Sequence, residues 1–174
     1  VLTSGGVSKT TAEVTLTVPA WTNANPDWQA VKPGLVVDGR VEIPGGASFR
    51  GVRIAGAESR VGYSNLVWTL PDLHIRRPEG EVRAYLQGND RTREVSASVS
   101  STIDPSCLRP LVAINQQEVF NLLSFTDPPR LSVIARGNLK DAKTFQVRGN
   151  LAVTNVTFRG EKASGVQTAV HYSN

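Results

Sequence analysis

A predominantly antiparallel β-sheet fold, broken by one short two-helix insert, is predicted from three features of the sequence. Apolar and polar residues alternate in short runs, turn-forming residues separate those runs, and one block of sequence returns without a gap 109 residues later.

The alternation recurs from end to end. Val14, Leu16 and Val18 alternate with Glu13, Thr15 and Thr17, and Val37, Val41 and Ile43 share a face with Gly39. Val82, Ala84 and Leu86 follow, then Val95, Ala97 and Val99 between serines, then Leu131, Val133 and Ala135, then Val147, Leu151 and Val153. Side chains two apart point to the same side of a strand, so each run predicts a strand with one apolar and one wet face. Pro33-Gly34, Pro44-Gly45-Gly46, Pro78-Glu79-Gly80, Gly88-Asn89-Asp90 and Asp127-Pro128-Pro129 supply the turns between them.

One stretch departs from this pattern. Asp104-Pro105 reads as an N-cap followed by proline at the first helical position, and Asn115 with Glu118 reads as a second cap ahead of Val119, Phe120, Leu122 and Leu123. A helical insert over 104–124 is expected, as two short helices near 105–113 and 116–124. They plug one end or edge of the sheet.

The repeat pairs Ser48-Phe49-Arg50-Gly51 through Tyr63-Ser64-Asn65 with Thr157-Phe158-Arg159-Gly160 through Tyr172-Ser173-Asn174. Upstream, Val37-Asp38-Gly39-Arg40-Val41 matches Val147-Arg148-Gly149-Asn150-Leu151 after a one-residue slip, which defines repeat blocks 37–65 and 147–174. Gly51 and Gly56 permit tight or bulged backbone before a return strand containing Val61 and Tyr63. Phe49 and Phe158 are expected on the apolar side. Residues 1–174 read as one repetitive β segment, with no start methionine or signal-like apolar run, and are expected to be an interior piece of a longer chain.

Composition excludes several functions. The net charge of +4 and pI near 9.6 are spread along the whole chain with few aromatics, so no nucleic-acid partner is expected. Nothing resembles a run of about 18 apolar residues, the length needed to span a bilayer as a helix. Cys107 has no partner for an internal disulfide and reads as a buried structural thiol.

The chemistry of catalysis is missing as well. His74 and Asp72 share a strand face as a possible hydrogen-bonded pair, but no Gly-x-Ser-x-Gly elbow accompanies them. Glu79 and Glu81 flank a turn and read as loop charges, not as a glycosidase pair. One cysteine and two distant histidines, His74 and His171, give no metal-ligand spacing. No phosphate-cradling glycine motif is present, and the Asn155-Val156-Thr157 sequon reads as chance. The expectation is therefore no enzyme, no catalytic residue, no metal and no cofactor.

The block Phe-Arg-Gly to Tyr-Ser-Asn is followed by Trp68-Thr69-Leu70-Pro71-Asp72-Leu73 and Arg77-Pro78-Glu79-Gly80. Ile103-Asp104-Pro105, Leu108-Arg109-Pro110-Leu111 and Pro128-Pro129 come later. Over about residues 12–174 this pattern resembles AsmA-like proteins, the bacterial envelope group that includes TamB-like members. The resemblance implies a mainly β fold, an extended antiparallel sheet curled into a groove, with an apolar concave face. It also implies lipid transport for outer membrane biogenesis, in the periplasm, from an inner-membrane anchor outside this segment. The helical insert is a departure, because a uniform groove has no need of it.

On this reading the partners are phospholipid, whose acyl chains the β-groove shelters between inner and outer membrane, and membrane proteins at either end of the full-length chain. Val82, Ala84, Leu86, Val95, Ala97, Val99, Leu131, Val133 and Ala135 are the expected lipid-binding lining, being the cleanest alternations on either side of the insert. The alternative is a structural or adhesive β-repeat module whose apolar faces close on each other as a dry core.

Overall fold

Alternation becomes sheet along most of the chain. The computed structural model describes residues 2–4, 8–18, 20, 28–111 and 122–173. In chain order the elements are β1 (Leu2–Ser4), β2 (Lys9–Leu16), α1 (Trp28–Val31), the 3-10 helix η1 (Lys32–Gly34), β3 (Leu35–Ile43), β4 (Ala47–Phe49) and β5 (Val52–Ile54). Then come β6 (Gly56–Ser64), β7 (Val67–Arg77), β8 (Gly80–Asn89), β9 (Glu94–Ser101) and the 3-10 helix η2 (Pro105–Leu111). The last four are β10 (Leu123–Phe125), β11 (Arg130–Asn138), β12 (Asp141–Phe158) and β13 (Glu161–Ser173). The fold is mainly β, built on a large antiparallel sheet that does not close into a barrel.

That sheet is a meander. β2, β3, β6, β7, β8, β9, β11, β12 and β13 lie side by side in that order, each antiparallel to the next. β10 adds no new column. It pairs with Val156–Phe158 of β12, just past the stretch of β12 that β11 occupies, so β10 and β11 share one position interrupted at 126–129. Pro128 and Pro129 lack the N–H groups a ladder requires, and Pro129 is fully buried at the break.

Two local devices shape the sheet. Between β6 and β7 the turn places Asn65 and Leu66 at φ 49 and φ 66, the two-residue hairpin geometry that matches strand twist. A leucine is strained there, and its side chain is held by burial, with 7% exposed. Within β7 the pairing shifts between Leu70 and Leu73 against β8, and against the same stretch of β6, so Pro71-Asp72 contains a bulge. A proline survives in this central strand because the bulge releases it from the ladder.

The two repeat blocks share a register. Val37, Gly39 and Val41 face Tyr63, Val61 and Ser59, while Val147, Gly149 and Leu151 face Tyr172, Val170 and Thr168. Their hairpin tips share a turn, with Arg50 and Gly51 at φ 48 and 84, and Arg159 and Gly160 at φ 50 and 87. The second block runs straight from β12 into β13. In the first, Pro44-Gly45-Gly46 carries an extra residue, and the tip breaks away as β4 and β5, which join β1 in a separate three-stranded sheet.

This folded tip sits at one end of β7. The Arg77 guanidinium, with only 13% of its side chain exposed, donates to the Arg53 carbonyl of β5 and to Glu79 Oε1 at 2.5 Å. β5 also packs on η2, and Val52 and Ile103 are buried in the same region.

Three expectations need correction. Asp104 does cap, accepting from the Ser106 N–H at 2.8 Å, but the helix that follows is 3-10 (Pro105–Leu111), with Pro110 removing a donor inside it. Of the helix expected at 116–124, residues 112–121 lie outside the described residues, and Leu123–Phe125 are strand β10 because they meet the free end of β12. Phe158 does not face the apolar side. It alternates with Val153 onto the opposite face, is 47% exposed, and has the Arg159 guanidinium 5.4 Å from its ring centroid. Cys107 is half-buried, and that burial pushes its thiol pKa up. Among the described residues, no helix is long and apolar enough to cross a membrane.

Candidate functional site: one apolar sheet face

The nine lining residues expected from sequence come together on neighbouring strands. Ala84, Val99 and Val133 form one cross-strand row, and Leu86, Ala97 and Ala135 form the next. Val82 and Leu131 are joined through Ser101, and Val95 stands between Gly88 and Gly137. Because opposite residues in an antiparallel pair project to the same side, all nine share a face.

That face extends well beyond these three strands. On β7 it continues through Leu70, Leu73 and Ile75, and on β6 and β3 through Ala57, Val61, Val37, Val41 and Ile43. On the other side it runs through Val147, Leu151 and Val153 of β12 to Val166 and Val170 of β13. Sequence reading missed β7 because its bulge breaks the period-two signal. Without the bulge, Leu70 and Leu73 fall on opposite faces.

Two aromatic rings lie flat on this face. A Cβ at Gly88 would collide with the Trp68 ring, and one at Gly137 with the Phe145 ring. Glycine is required at both positions so that a cross-strand ring can lie against backbone.

Exposure differs sharply between the two sides. Ala84 is buried at 8%, and the other eight lining residues are half-buried. On the opposite side of the same strands, Ile134 is 53% exposed. In a single layer of sheet, crowding of one face and opening of the other is what curvature towards the apolar side produces. Cover declines at the edges, where Val14 reaches 61% and Tyr172 51% exposure.

The opposite face of β3, β6, β7 and β8 carries a lattice of charges. Arg40 donates to Glu42 at 2.8 Å and to Glu58 at 2.7 Å. His74 lies between Glu58, with Nδ1 at 3.5 Å, and Glu81, with Nε2 at 2.7 Å, and Arg83 donates to Glu81 at 2.9 Å. Asp72 and His74 share this face but do not pair. The bulge turns Asp72 towards β6, where it accepts from the Arg60 N–H at 2.7 Å and the Arg60 guanidinium at 2.9 Å. Glu79 and Glu81 likewise go to separate partners.

These contacts shift the carboxylates. Hydrogen bonds from Arg40 and then His74 hold Glu58 below the ordinary 4.5, and those from Arg83 and then His74 do the same for Glu81. The Arg60 backbone N–H, and then its guanidinium, lower Asp72 below 3.8. Carboxylates lowered in the folded state stabilise it above their unfolded pKa and lose that contribution as pH falls through the folded value. The melting temperature is thus expected to be insensitive to these groups above about pH 5 and to decline below about pH 4. Glu58→Gln with Glu81→Gln should flatten that decline in a series of thermal melts.

A cleft of 580 Å³ opens at the end of this polar face, lined by Gln87, Ser96, Arg136, Asn138, Thr144 and Gln146 among others. Among the described residues, no group of three or more histidine, cysteine or acidic side chains is placed to hold a metal. Compared with protein-family models, curated proteins and solved structures, the chain finds no match.

Proposed function

We propose that this chain is a lipid-sheltering segment of an AsmA-like envelope protein, in which the apolar face covers phospholipid acyl chains during passage between membranes. One observation carries the reading: an apolar face in register across nine strands whose central side chains stay half-buried. At about 4.8 Å between strands, nine of them span roughly 38 Å. An apolar face of that breadth exceeds the few hundred Å² of contiguous apolar surface that soluble monomers leave open. Each acyl methylene laid against it contributes about 0.8 kcal/mol, while headgroups stay in water.

No catalytic group takes part in this function. Passage is sliding along the face, with direction set by membrane proteins at either end of a longer chain held in the periplasm by an inner-membrane anchor. The alternative, a structural or adhesive module with a closed dry core, draws support from the buried packing around Val52, Ile103 and Pro129 at one end of the sheet. A dry core across the whole face, however, calls for buried residues where Val99, Val133 and Leu86 are half-buried.

Native mass spectrometry of the purified segment tests the proposal. Phospholipid adducts that survive gentle desolvation are expected, and a spectrum of bare protein from a lipid-rich preparation would count against it.

A further inference from the structure

The cleft of 580 Å³ on the polar side is built from strands in the interior of the sheet. β8, β9, β11 and β12 carry Gln87, Ser96, Arg136 and Gln146 into it as one row in register. Opposite residues of antiparallel neighbours project to the same side, so the four side chains stand abreast. Ser96 is short, which leaves room between Gln87 on one side of it and Arg136 on the other.

The end wall is already fixed. Asn138 donates its N–H to Thr144 Oγ1 and its side-chain amide to the Thr92 carbonyl, both at 2.8 Å. The row itself is not. Tyr85 donates to Gln87 Oε1 at 2.7 Å, which leaves the Gln87 Nε2 donors unused. The side chains of Ser96, Arg136 and Gln146 have no partner among the described residues. Glu94, which also lines the cleft, accepts from Thr92 Oγ1 at 3.0 Å and does not pair with Arg136. A second polar cleft, of 290 Å³ around Arg40, Glu58, His74 and Arg83, differs in this respect, because its charges are spent on one another and on Glu81.

We propose that the larger cleft binds a short neutral saccharide. A sugar hydroxyl donates and accepts at once, so a pair of them needs both kinds of group. Arg136, Gln87, Gln146 and Glu94 each end in a planar fork, the guanidinium and amides to donate, the amide oxygen and carboxylate to accept. A phosphate or carboxylate ligand only accepts. It would satisfy Arg136 but leave Gln146 Oε1 and Glu94 unanswered, and the Glu94 charge would oppose it. A hydrocarbon chain would strand every one of these groups. Tyr85, two residues before Gln87 on the same side of β8, is 40% exposed and offers an aromatic surface to the apolar side of a sugar ring. The volume falls within the roughly 300–1,000 Å³ usual for small-molecule sites. The inference stands apart from the lipid proposal, since the cleft opens on the face away from the apolar lining and either can fail without the other.

Maltotriose, cellotriose and chitotriose, representing α-linked, β-linked and amino sugar chains, are titrated onto isotope-labelled protein and followed by NMR. Saturable shifts are expected with at least one of them at the Gln87 and Gln146 side-chain amides and the Ser96 and Gly137 backbone amides. Val37 and Val41 should not move. Arg136→Ala is expected to weaken binding about tenfold at unchanged melting temperature, because this exposed side chain holds nothing in the fold. Arg148→Ala, two residues beyond Gln146 on the same side of β12 but outside the cleft, should leave the affinity unchanged. The proposal is overturned if none of the three sugars gives a saturable shift, or if Arg136→Ala binds as tightly as the parent chain. It is also overturned if inorganic phosphate or glycerophosphoethanolamine moves the row at lower concentration than any sugar, which would make the cleft an anion or headgroup site.

Discussion

Ala97→Asp is expected to leave the fold intact and to abolish photo-crosslinking of phospholipid to the segment. Ala97 sits mid-face between Leu86 and Ala135 and is half-buried, so a carboxylate placed there keeps water on its open side. The charge then costs the fold little, but it puts an ion where an acyl chain would lie. In a closed dry core the same substitution buries an unpaired charge, and the loss would be several kcal/mol or outright unfolding. Ser98→Asp, on the exposed side of the same strand, is the matched control and should change neither stability nor crosslinking. Unfolding of Ala97→Asp alone would favour the structural alternative over the lipid one.

Arg77→Ala is expected to cost about 2 kcal/mol, the range of a charge-assisted hydrogen bond lost from a mostly buried group. The loss should be local. Arg77 ties the folded tip to the main sheet by donating to the Arg53 carbonyl while pairing with Glu79. Amide exchange should therefore speed up across Val52–Ile54 while Val133 and Val99 stay protected. Arg77→Lys should restore little, because a single ammonium does not reproduce a planar fork reaching two acceptors. Uniform acceleration over the whole sheet would show that the tip and the meander unfold as one unit.

What the sequence disclosed, and what it concealed, follows from what alternation encodes. Period two fixes which side of a strand a residue occupies, so Val95, Ala97 and Val99 were legible as one face. It says nothing of neighbours. The rows joining them to Leu86 and Val133 became legible only because strands consecutive in sequence are adjacent in this sheet. β7 was hidden by its bulge, where one added residue shifts the phase between Leu70 and Leu73. The end of the expected second helix was misread because Leu123 and Phe125 alternate about Ser124 within a stretch that also fits a helical period. The charge lattice left no sequence signal, since Arg40, Glu58, His74 and Glu81 come from four strands and meet only through register. The tip turned on a single residue in Pro44-Gly45-Gly46, visible beforehand only as a slip in the repeat.

The order of the meander bears on how the protein comes to be folded. Almost every strand finds its neighbour immediately before or after it in the chain, so most closures span one short turn and cost little loop entropy. The longer closures are β2 with β3, across residues 17–34, β3 with β6, across the folded tip, and β9 with β11, across the stretch that holds η2. Each newly made strand can thus dock on the one made just before it, and the sheet can assemble in the order of synthesis. The long closures leave two groups of strands joined by short turns, β6–β9 and β11–β13, and β6–β9 is the first of them to be complete along the chain. A growing chain arrested after Ser101 already holds six neighbouring strands of the final sheet, β2, β3 and β6–β9. Pulse-labelled exchange on such nascent chains should find β6–β9 protected first.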